Sequence, residues 1–454
     1  MTPLHVVILA AGQGRRMQSS RPKVLHLLAG RPLLSHVVDA ANALNPARVH
    51  VVHGYGGGIV REAMSAADVE WVEQREQLGT GHAVSLAMPG IPDDATVLVL
   101  YGDVPLVNPD TLHETTTLAA GGDIMLMTVV VDDPRGYGRI VRDPDGHVLG
   151  IVEERDADDE QRTIAEINTG ILAAHAGRLR GWLRGLSRDN AQGEHYLTDV
   201  VALAVGDGLS VRTVPPEAIE EVLGVNDRVE LAALERFQQR RLAENLMRDG
   251  ASLADPTRVD IRGRVSTGRD VFVDVNVVFE GEVVLGDRVN IGPGCVIRDT
   301  VIERDTEVRA QCVIEGAHIG VACAIGPFAR LRPDARLSRD ARIGNFVEVK
   351  NATLGEGSKA SHLTYIGDTR IGRDVNVGAG VVTCNYDGTR KHETVIGDHA
   401  FIGSGVMLVA PVTVHAGATV GAGSTIGKDV PADALTVTRT PQRTIRGWKR
   451  RRKG

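Results

Sequence analysis

Aromatic residues are scarce in this chain: Phe, Trp and Tyr make up 3% of its 454 residues. A core without large rings must be filled by small aliphatics, and the abundant Val, Ile, Leu and Ala with 52 glycines suit a narrow, regular interior with tight corners. Cysteine is scarcer still. The four residues, Cys295, Cys312, Cys323 and Cys384, form no C-x-x-C pair, which argues against a zinc site and fits reduced thiols. No apolar run approaches the roughly 18 residues of a membrane span. The opening MTPLHVVILAAG has no basic stretch ahead of a long apolar one, so it does not read as a secretion signal. The expectation is a cytoplasmic protein with no membrane partner. Excess positive charge is also missing. A net charge of −7 excludes a dedicated nucleic-acid binder but not a small anionic substrate, whose site is set by local charge.

The length implies two or three domains. Up to about Asn226, short apolar runs alternate with helical stretches. His5–Ala10, Arg48–Val52, Thr96–Leu100 and Ile124–Val131 read as strands, and their unbroken Val/Ile/Leu content predicts burial on both faces, as in parallel sheets. Leu33–Leu44 has helical spacing. The βαβα order predicts a doubly wound, Rossmann-like α/β domain over 1–227, with ligands at the carboxyl ends of the strands. A helical linker is predicted over 228–249: Asp227 and Glu230 make a D-x-x-E start, Leu231, Leu234, Leu242 and Leu246 recur, and Gly250 stops it. Some 22 helical residues reach roughly 33 Å, enough to hold two domains apart.

From about Val259 to Val437, within a second domain expected over 250–454, the pattern changes to an internal repeat of period six. Ile319, Ile325, Leu331, Leu337, Ile343 and Val349 form one run; Ile396, Ile402, Leu408, Val414, Val420 and Ile426 form another. Neither a helix nor a plain strand has this period. A parallel β-helix does: one aliphatic residue per flat side points inward and small residues turn the corner. The repeat is interrupted at Ser358–Tyr365 (SKASHLTY) and by a polar insertion at Thr383–Val395, the places where a solenoid extrudes functional loops. The basic end, Arg443–Gly454, reads as a solvated tail.

Two front motifs carry chemistry. After the first strand comes LAAGQGRRM, then Pro22-Lys23. A glycine loop leaving a strand offers N–H groups to phosphate oxygens, and Arg16 and Lys23 add positive charge. By itself such a turn serves equally as a plain strand-to-helix connection. It is neither a Walker A loop nor a complete dinucleotide fingerprint, since Met17 fills the last glycine position. An NAD-binding reading needs an acidic residue closing the second strand, and Asp39 falls in a helical stretch instead. The second motif, YGDVPL from Tyr101, places Asp103 at a strand's carboxyl end, where it suits Mg²⁺, though taken alone it reads first as a turn former.

Together with QREQLGTGHA from Gln74, GYGRI from Gly136, EINTGI from Glu166 and GVND from Gly224, these strings resemble the sugar-1-phosphate nucleotidyltransferases. With RLRP, GNFVEVKN, SHLTYIGD and TCNYDG in the second half, nearly the whole chain is similar to the bifunctional N-acetylglucosamine-1-phosphate uridylyltransferase / glucosamine-1-phosphate N-acetyltransferase family. That resemblance implies a left-handed β-helix of hexapeptide repeats assembled as a homotrimer. It implies that acetyl-CoA acetylates glucosamine-1-phosphate, and that UTP then couples to N-acetylglucosamine-1-phosphate. Leu9, Ala10, Ala11, Gly12, Lys23, Gln74, Gly79 and Thr80 would bind the uridine nucleotide; Tyr101, Gly102, Gly138, Glu153 and Asn168 would line the nucleotide-sugar site; Asp103 and Asn226 would hold Mg²⁺; Arg16 would sit over the leaving pyrophosphate. A sugar phosphate is already ionised, so positioning and charge neutralisation suffice and no general base is required.

An amine attacking a thioester must shed a proton, and the resemblance gives that role to His362, at the SHLTY break. Taken alone, one of fifteen histidines is most simply a surface residue. The resemblance further implies that Arg332, Lys350, Tyr365 and Asn376 hold the amino sugar phosphate, and that Ala379, Asn385, Tyr386, Ser404, Ala422 and Arg439 hold acetyl-CoA. Without it, Arg332 and Lys350 read as an exposed solenoid face. Glu348 reads as orienting a neighbour. A pure scaffold role for the β-helix remains the alternative, though it has no need of His362, Asn385 and Tyr386 together.

Overall fold

The computed structural model describes residues 2–438 and 440–448. The chain forms two compact units, the first ending at Gln238 and the second starting at Gln239.

The first unit is built on a nine-stranded sheet. Its strands are β1 (Leu4–Ala10), β2 (Arg48–His53), β3 (Glu70–Glu73), β4 (Thr96–Tyr101), β5 (Ile124–Val130), β6 (Arg139–Arg142), β7 (Val148–Val152), β8 (Glu166–His175) and β9 (Val211–Val214). The main path runs β9-β5-β8-β4-β1-β2-β3, with β6 and β7 forming a hairpin beside β8. Both faces are covered, as the apolar runs predict. On β1, Val6, Ile8 and Ala10 pack into a core with Leu34, Val37 and Val38 of α1 (Leu33–Ala43), while Val7 and Leu9 pack into a second core with Ala83 and Val84 of α3 (Thr80–Ala87). Between these two helices in the chain lies α2 (Gly57–Ala63). The sheet is mixed: β8, which the sequence reading did not name as a strand, runs antiparallel to β4, β5 and β6, and β6 runs antiparallel to β7. The apolar stretch of β8 is only Ile171–Ala174, and burial on two faces leaves no imprint of strand direction.

β1 lies between β4 and β2, with Leu9 beside Tyr101. The carboxyl ends of β1 and β4 therefore open side by side where the strand order reverses, the place where such sheets leave a crevice. The long helix Arg228–Arg248 begins on its expected cap: Asp227 Oδ1 accepts the N–H groups of Val229 (2.8 Å) and Glu230 (2.9 Å). Its glutamate reaches one residue further back than a capping box does. Glu230 Oε2 accepts the N–H of Asn226 at 2.5 Å, tying Asn226 to the helix start.

The second unit is a parallel β-helix with three flat sides, the architecture the hexapeptide repeat dictates. Ile302 lies beside Ile319 and Ile325 beside Ile343, so a turn of the coil takes 17 or 18 residues. The period-six aliphatics are the core: Ile319, Ile325, Leu331, Ile343, Val349, Ile402, Leu408, Val414 and Val420 are sealed from solvent, as are Cys295 and Cys312. Corners are turned by residues of positive φ, many of them Asp or Asn (Asp305, Asp334, Asn351, Asp368, Asp374), which tolerate that conformation. The two breaks differ in kind. SKASHLTY is no loop: Lys359–His362 is a strand in register with Arg342–Asn345, and Ala360 takes the inward position beside Ile343. An alanine in the aliphatic slot is what made the repeat look interrupted. The Thr383–Val395 segment does leave the helix, since the coil here takes 25 residues. It is pinned by Asp387, whose carboxylate accepts from the N–H groups of Thr389 and Arg390 and meets His392 Nε2 at 2.7 Å. Those donors, Arg390 foremost, hold the Asp387 carboxyl well below its usual range.

Candidate active sites

Leu9, Ala10, Ala11, Gly12, Lys23, Gln74, Gly79, Thr80, Tyr101 and Asp103 come together from five segments around a cavity of about 260 Å³ at the ends of β1 and β4. Gly12 has open space where a Cβ would stand, facing the cavity. Gly14, at φ +60°, is needed for another reason: a Cβ there would lie 2.6 Å from Lys23 Cβ. The glycine loop thus lets the Lys23 side chain pass inward. Its ammonium pairs with Asp103 Oδ2 and donates to Asn226 Oδ1 at 3.2 Å. The backbones of the two motifs are also joined, Val225 N–H donating to Asp103 O at 2.9 Å. Asp103 and Asn226, far apart in the chain, therefore aim oxygen atoms at one positive centre. A hard divalent cation asks for such oxygen donors, so this pair fits one.

Arg16 stands on the exposed turn Arg15–Met17 and has no ion-pair partner among the described residues. It faces Tyr137: burial raises the Tyr137 pKa, Glu230 and Asp103 raise it further, and Arg16 opposes them. On the other flank, Gly138 O accepts the N–H of Asn168 at 2.8 Å, and Thr198 donates to Glu153 Oε1 at 3.0 Å. Burial raises the Glu153 pKa against that hydrogen bond. Tyr101 packs flat on Gly170, where a Cβ would strike the ring, and burial raises its hydroxyl pKa. Gly102 donates to Leu9 O at 2.9 Å and has Ala10 Cβ beside it, which closes the floor. Sequence reasoning missed Gln77, whose Nε2 donates to Ala11 O at 2.9 Å, and Glu194, which lines the cavity from over a hundred residues away. Gln77 lies within the QLGTGHA string, which was a usable signal; Glu194 carried none.

In the second unit, successive coils set Asn345, His362, Ala379, Ser404 and Ala422 in one column along a corner, as the registers of Asn345 with His362, Val377 with Ile402 and Ile402 with Val420 require. Asn345 Oδ1 lies 2.7 Å from His362 Nδ1. A carboxamide oxygen only accepts, so Nδ1 carries the proton and the Nε2 lone pair is left available. On the adjoining side Arg332 pairs with Glu348 at 2.9 Å, and Lys350 lies one coil above Arg332. Lys391, reaching over from the polar loop, pushes the Lys350 pKa down, desolvation and Arg332 add to this and Asp368 opposes it, so two lysines crowd together beside the Arg332–Glu348 pair. Tyr365 stacks in register on Glu348, and its hydroxyl and the Asn385 amide both overhang Gly367, where a Cβ would collide with them. Asp368 holds Asn385 Nδ2 with one oxygen and accepts from Asn351 Nδ2 at 2.6 Å with the other. Asn376 belongs to a different side, between Lys359 and Phe401, three residues before Ala379. Tyr386 is exposed and donates to Gly388 O at 2.6 Å. Arg439 and the end of the basic tail, from Lys449, lie outside the described residues. Asn345, Asp368 and Lys391 are the additions sequence reasoning did not make; Asn345 and Asp368 each act through a neighbour one coil away, and Lys391 comes from the polar loop.

Among the described residues, one His/Asp group is close enough to share a cation, Asp143, Asp145 and His147 in the β6–β7 turn. Asp143 is already used there to accept the N–H groups of Asp145 and His147. No helix is long and apolar enough to cross a membrane.

Residues 6–197 match the MobA-like NTP transferase domain, and residues 264–299 and 393–428 match the bacterial transferase hexapeptide (six repeats). The chain is 56% identical to the bifunctional protein GlmU of Marinobacter nauticus over 453 residues, covering 100% of both. It is 54% identical to that of Azoarcus sp., over 98% of this chain and 99% of the relative. To that of Alkalilimnicola ehrlichii it is 56% identical, over 98% and 96%. An NTP-transferase domain followed in the chain by hexapeptide repeats, and identity above half along the whole chain, place this transferase in one family: the chain belongs to the bifunctional GlmU proteins.

Proposed function

We propose that this enzyme makes UDP-N-acetylglucosamine in two steps, acetylating glucosamine-1-phosphate with acetyl-CoA and then transferring a uridylyl group from UTP to the N-acetylglucosamine-1-phosphate formed. Residues 1–227 carry the second step, 250–454 the first, and the segment 228–249 links them; the protein works in the cytoplasm as a homotrimer. The observation that carries the reading is that Lys23 and Asp103 pair in the wall of one cavity, with Asn226 accepting from the same Lys23 ammonium.

In the uridylyl step the sugar phosphate oxygen attacks the α-phosphorus, the bond to the β-phosphate breaks, and pyrophosphate leaves. Lys23 and Arg16 counter the charge that builds on the leaving group. Backbone N–H groups of the Ala11–Gly12 loop receive phosphate oxygens, and Glu153 and Asn168 orient the sugar. Asp103 and Asn226 would hold Mg²⁺, which when bound neutralises the triphosphate and polarises its phosphoryl oxygens.

In the acetyl step Arg332, Lys350 and Lys391 take the phosphate of glucosamine-1-phosphate. His362 Nε2 accepts a proton from the amine as its nitrogen attacks the thioester carbonyl; the carbon–sulfur bond then breaks, and the departing sulfur takes that proton back from the imidazolium, so CoA leaves as thiol and His362 is again neutral. The imidazolium formed keeps its Nδ1 hydrogen bond to Asn345. Tyr365 and Asn376 position the amino sugar. Asn385, Tyr386, Ser404 and Arg439 contact the acyl donor, and the small Ala379 and Ala422 leave room for the pantetheine arm.

The test separates the steps. Asp103→Ala abolishes UTP-dependent pyrophosphate release and leaves free-thiol release from acetyl-CoA intact, and His362→Ala does the reverse. Loss of both activities from either folded variant would defeat the two-site reading.

A further inference from the structure

Gln74 is almost wholly buried yet lines the front cavity. Its amide nitrogen, Nε2, lies 3.1 Å from Gly79 O and 3.1 Å from His82 Nδ1. A carbonyl can only accept, so the nitrogen of the amide, not its oxygen, must face Gly79. The amide has two hydrogens. Gly79 takes one; for His82 to take the other, its Nδ1 must be the unprotonated ring nitrogen. Both donors are then spent inside the protein. Oε1 has no partner among the described residues, and it is not sealed among the buried unsatisfied atoms. An acceptor, and only an acceptor, is what Gln74 offers to the cavity.

The support behind this arrangement is rigid. The Gly79 segment is pinned on both sides of its carbonyl, with His195 N–H donating to Leu78 O and Gly81 N–H to His195 O, each at 2.8 Å. Gly79 itself sits at φ +105°, and a Cβ there would lie 2.6 Å from His195 O. The Gly79 carbonyl cannot turn away. His82, at the start of α3, is the remaining partner, and it is a side chain that can be changed.

We infer that His82 is a specificity-determining positioning residue: by taking the second N–H of Gln74 it leaves a lone acceptor facing the base, selecting an imide-type N–H, as in uracil, over the ring acceptor at the same position of cytosine. The inference rests on the cavity being the nucleoside triphosphate site proposed above. Without His82, a buried N–H of Gln74 loses its partner, and the cavity is where it finds another acceptor. The base would then meet a donor as well as an acceptor, and selection against cytosine would weaken. A buried polar group left unmatched is what makes such sites discriminate strongly.

The experiment compares UTP with CTP as substrate for N-acetylglucosamine-1-phosphate, reading kcat/KM from pyrophosphate release. His82→Phe fills the ring's place without a nitrogen acceptor, whereas His82→Asn can restore an acceptor near Nδ1. The expected result is a fall of about tenfold or more in the UTP-to-CTP ratio for His82→Phe, with the ratio substantially recovered in His82→Asn. The same ratio in wild type and a folded His82→Phe would overturn the inference while leaving the uridylyl site standing. A His82→Asn protein as unselective as His82→Phe would also overturn it, by assigning the effect to the ring's shape. A wild-type protein releasing no pyrophosphate from any nucleoside triphosphate would remove the underlying site as well.

Discussion

At the scale of single residues, the decisive positions are those where a neighbour fixes what a side chain can do. Gly14 is one. A methyl group there meets Lys23 Cβ at 2.6 Å, on a backbone already at φ +60°. Gly14→Ala is therefore expected to cost about 1 kcal/mol in backbone strain and to displace the Lys23 ammonium, cutting UTP-dependent turnover at least tenfold with acetyl transfer unchanged; parallel assays of the two activities check this. Asp368 is another. It holds the Asn385 amide from below, so Asp368→Ala should lower kcat for acetyl transfer more than it raises KM for glucosamine-1-phosphate, as steady-state kinetics will show. An equal fall in pyrophosphate release would point to general damage instead. Lys23 and Asp103 were legible through the joined strings they sit in, since a glycine turn or an Asp at a strand end, taken alone, also reads as a plain connection. Asn345, Asp368 and Lys391 were not, because a polar residue on a β-helix surface looks alike whether or not the next coil brings it a partner.

At the scale of elements, β1, β2 and β3 carry a buried polar cluster that the apolar runs hid. His5 Nδ1 lies 3.0 Å from His50 Nε2, the rings stack, and Glu70 approaches His50 Nδ1 at 3.3 Å. Burial lowers the pKa of both histidines from 6.5, and of His26 and His53 too. A histidine whose folded pKa lies below its unfolded value leaves stability untouched well above pH 6.5. Stability falls as pH drops below that value, because the unfolded chain takes up protons first. Denaturant titrations of the first unit's fluorescence between about pH 7.5 and 5.5 should show this loss, with a shallower slope in His50→Gln. In the β-helix, Ile325 is fully buried, and Ile325→Ala should destabilise the second unit by about 2–5 kcal/mol through the cavity left between coils, a shift visible in its denaturation midpoint. The hexapeptide period made these core positions readable in advance. It also misled at SKASHLTY, where Ala360 fills the inward slot and a regular strand passed for a break. The direction of β8 was unreadable for a related reason: pattern reports which faces are buried, not which way a strand runs.

At the scale of the whole molecule, the two chemistries use separate residue sets, and the proposed link between them is a stable sugar phosphate free to diffuse. Mixing Asp103→Ala protein with His362→Ala protein should therefore restore UDP-N-acetylglucosamine formation from glucosamine-1-phosphate, acetyl-CoA and UTP, followed by chromatography of the nucleotide sugar. No product from the mixture would mean that the intermediate must stay on one polypeptide. The two architectures were foreseeable because each repeats one rule many times; how the polar loop at Thr383–Val395 folds back was not, since a single insertion obeys no period. The corner column from His362 through Ala379 and Ser404 to Ala422 has a consequence of its own. Neighbouring coils stand about 4.8 Å apart, so the climb from imidazole to Ala422 is roughly 14 Å. Under the acetyl step proposed above, the stack would work as a gauge for the acyl carrier: a long flexible arm would grip the upper rungs while its thioester reaches the base at the bottom, whereas an acetyl group on a cysteamine stub would have nothing to hold above the first rung and would arrive unaided.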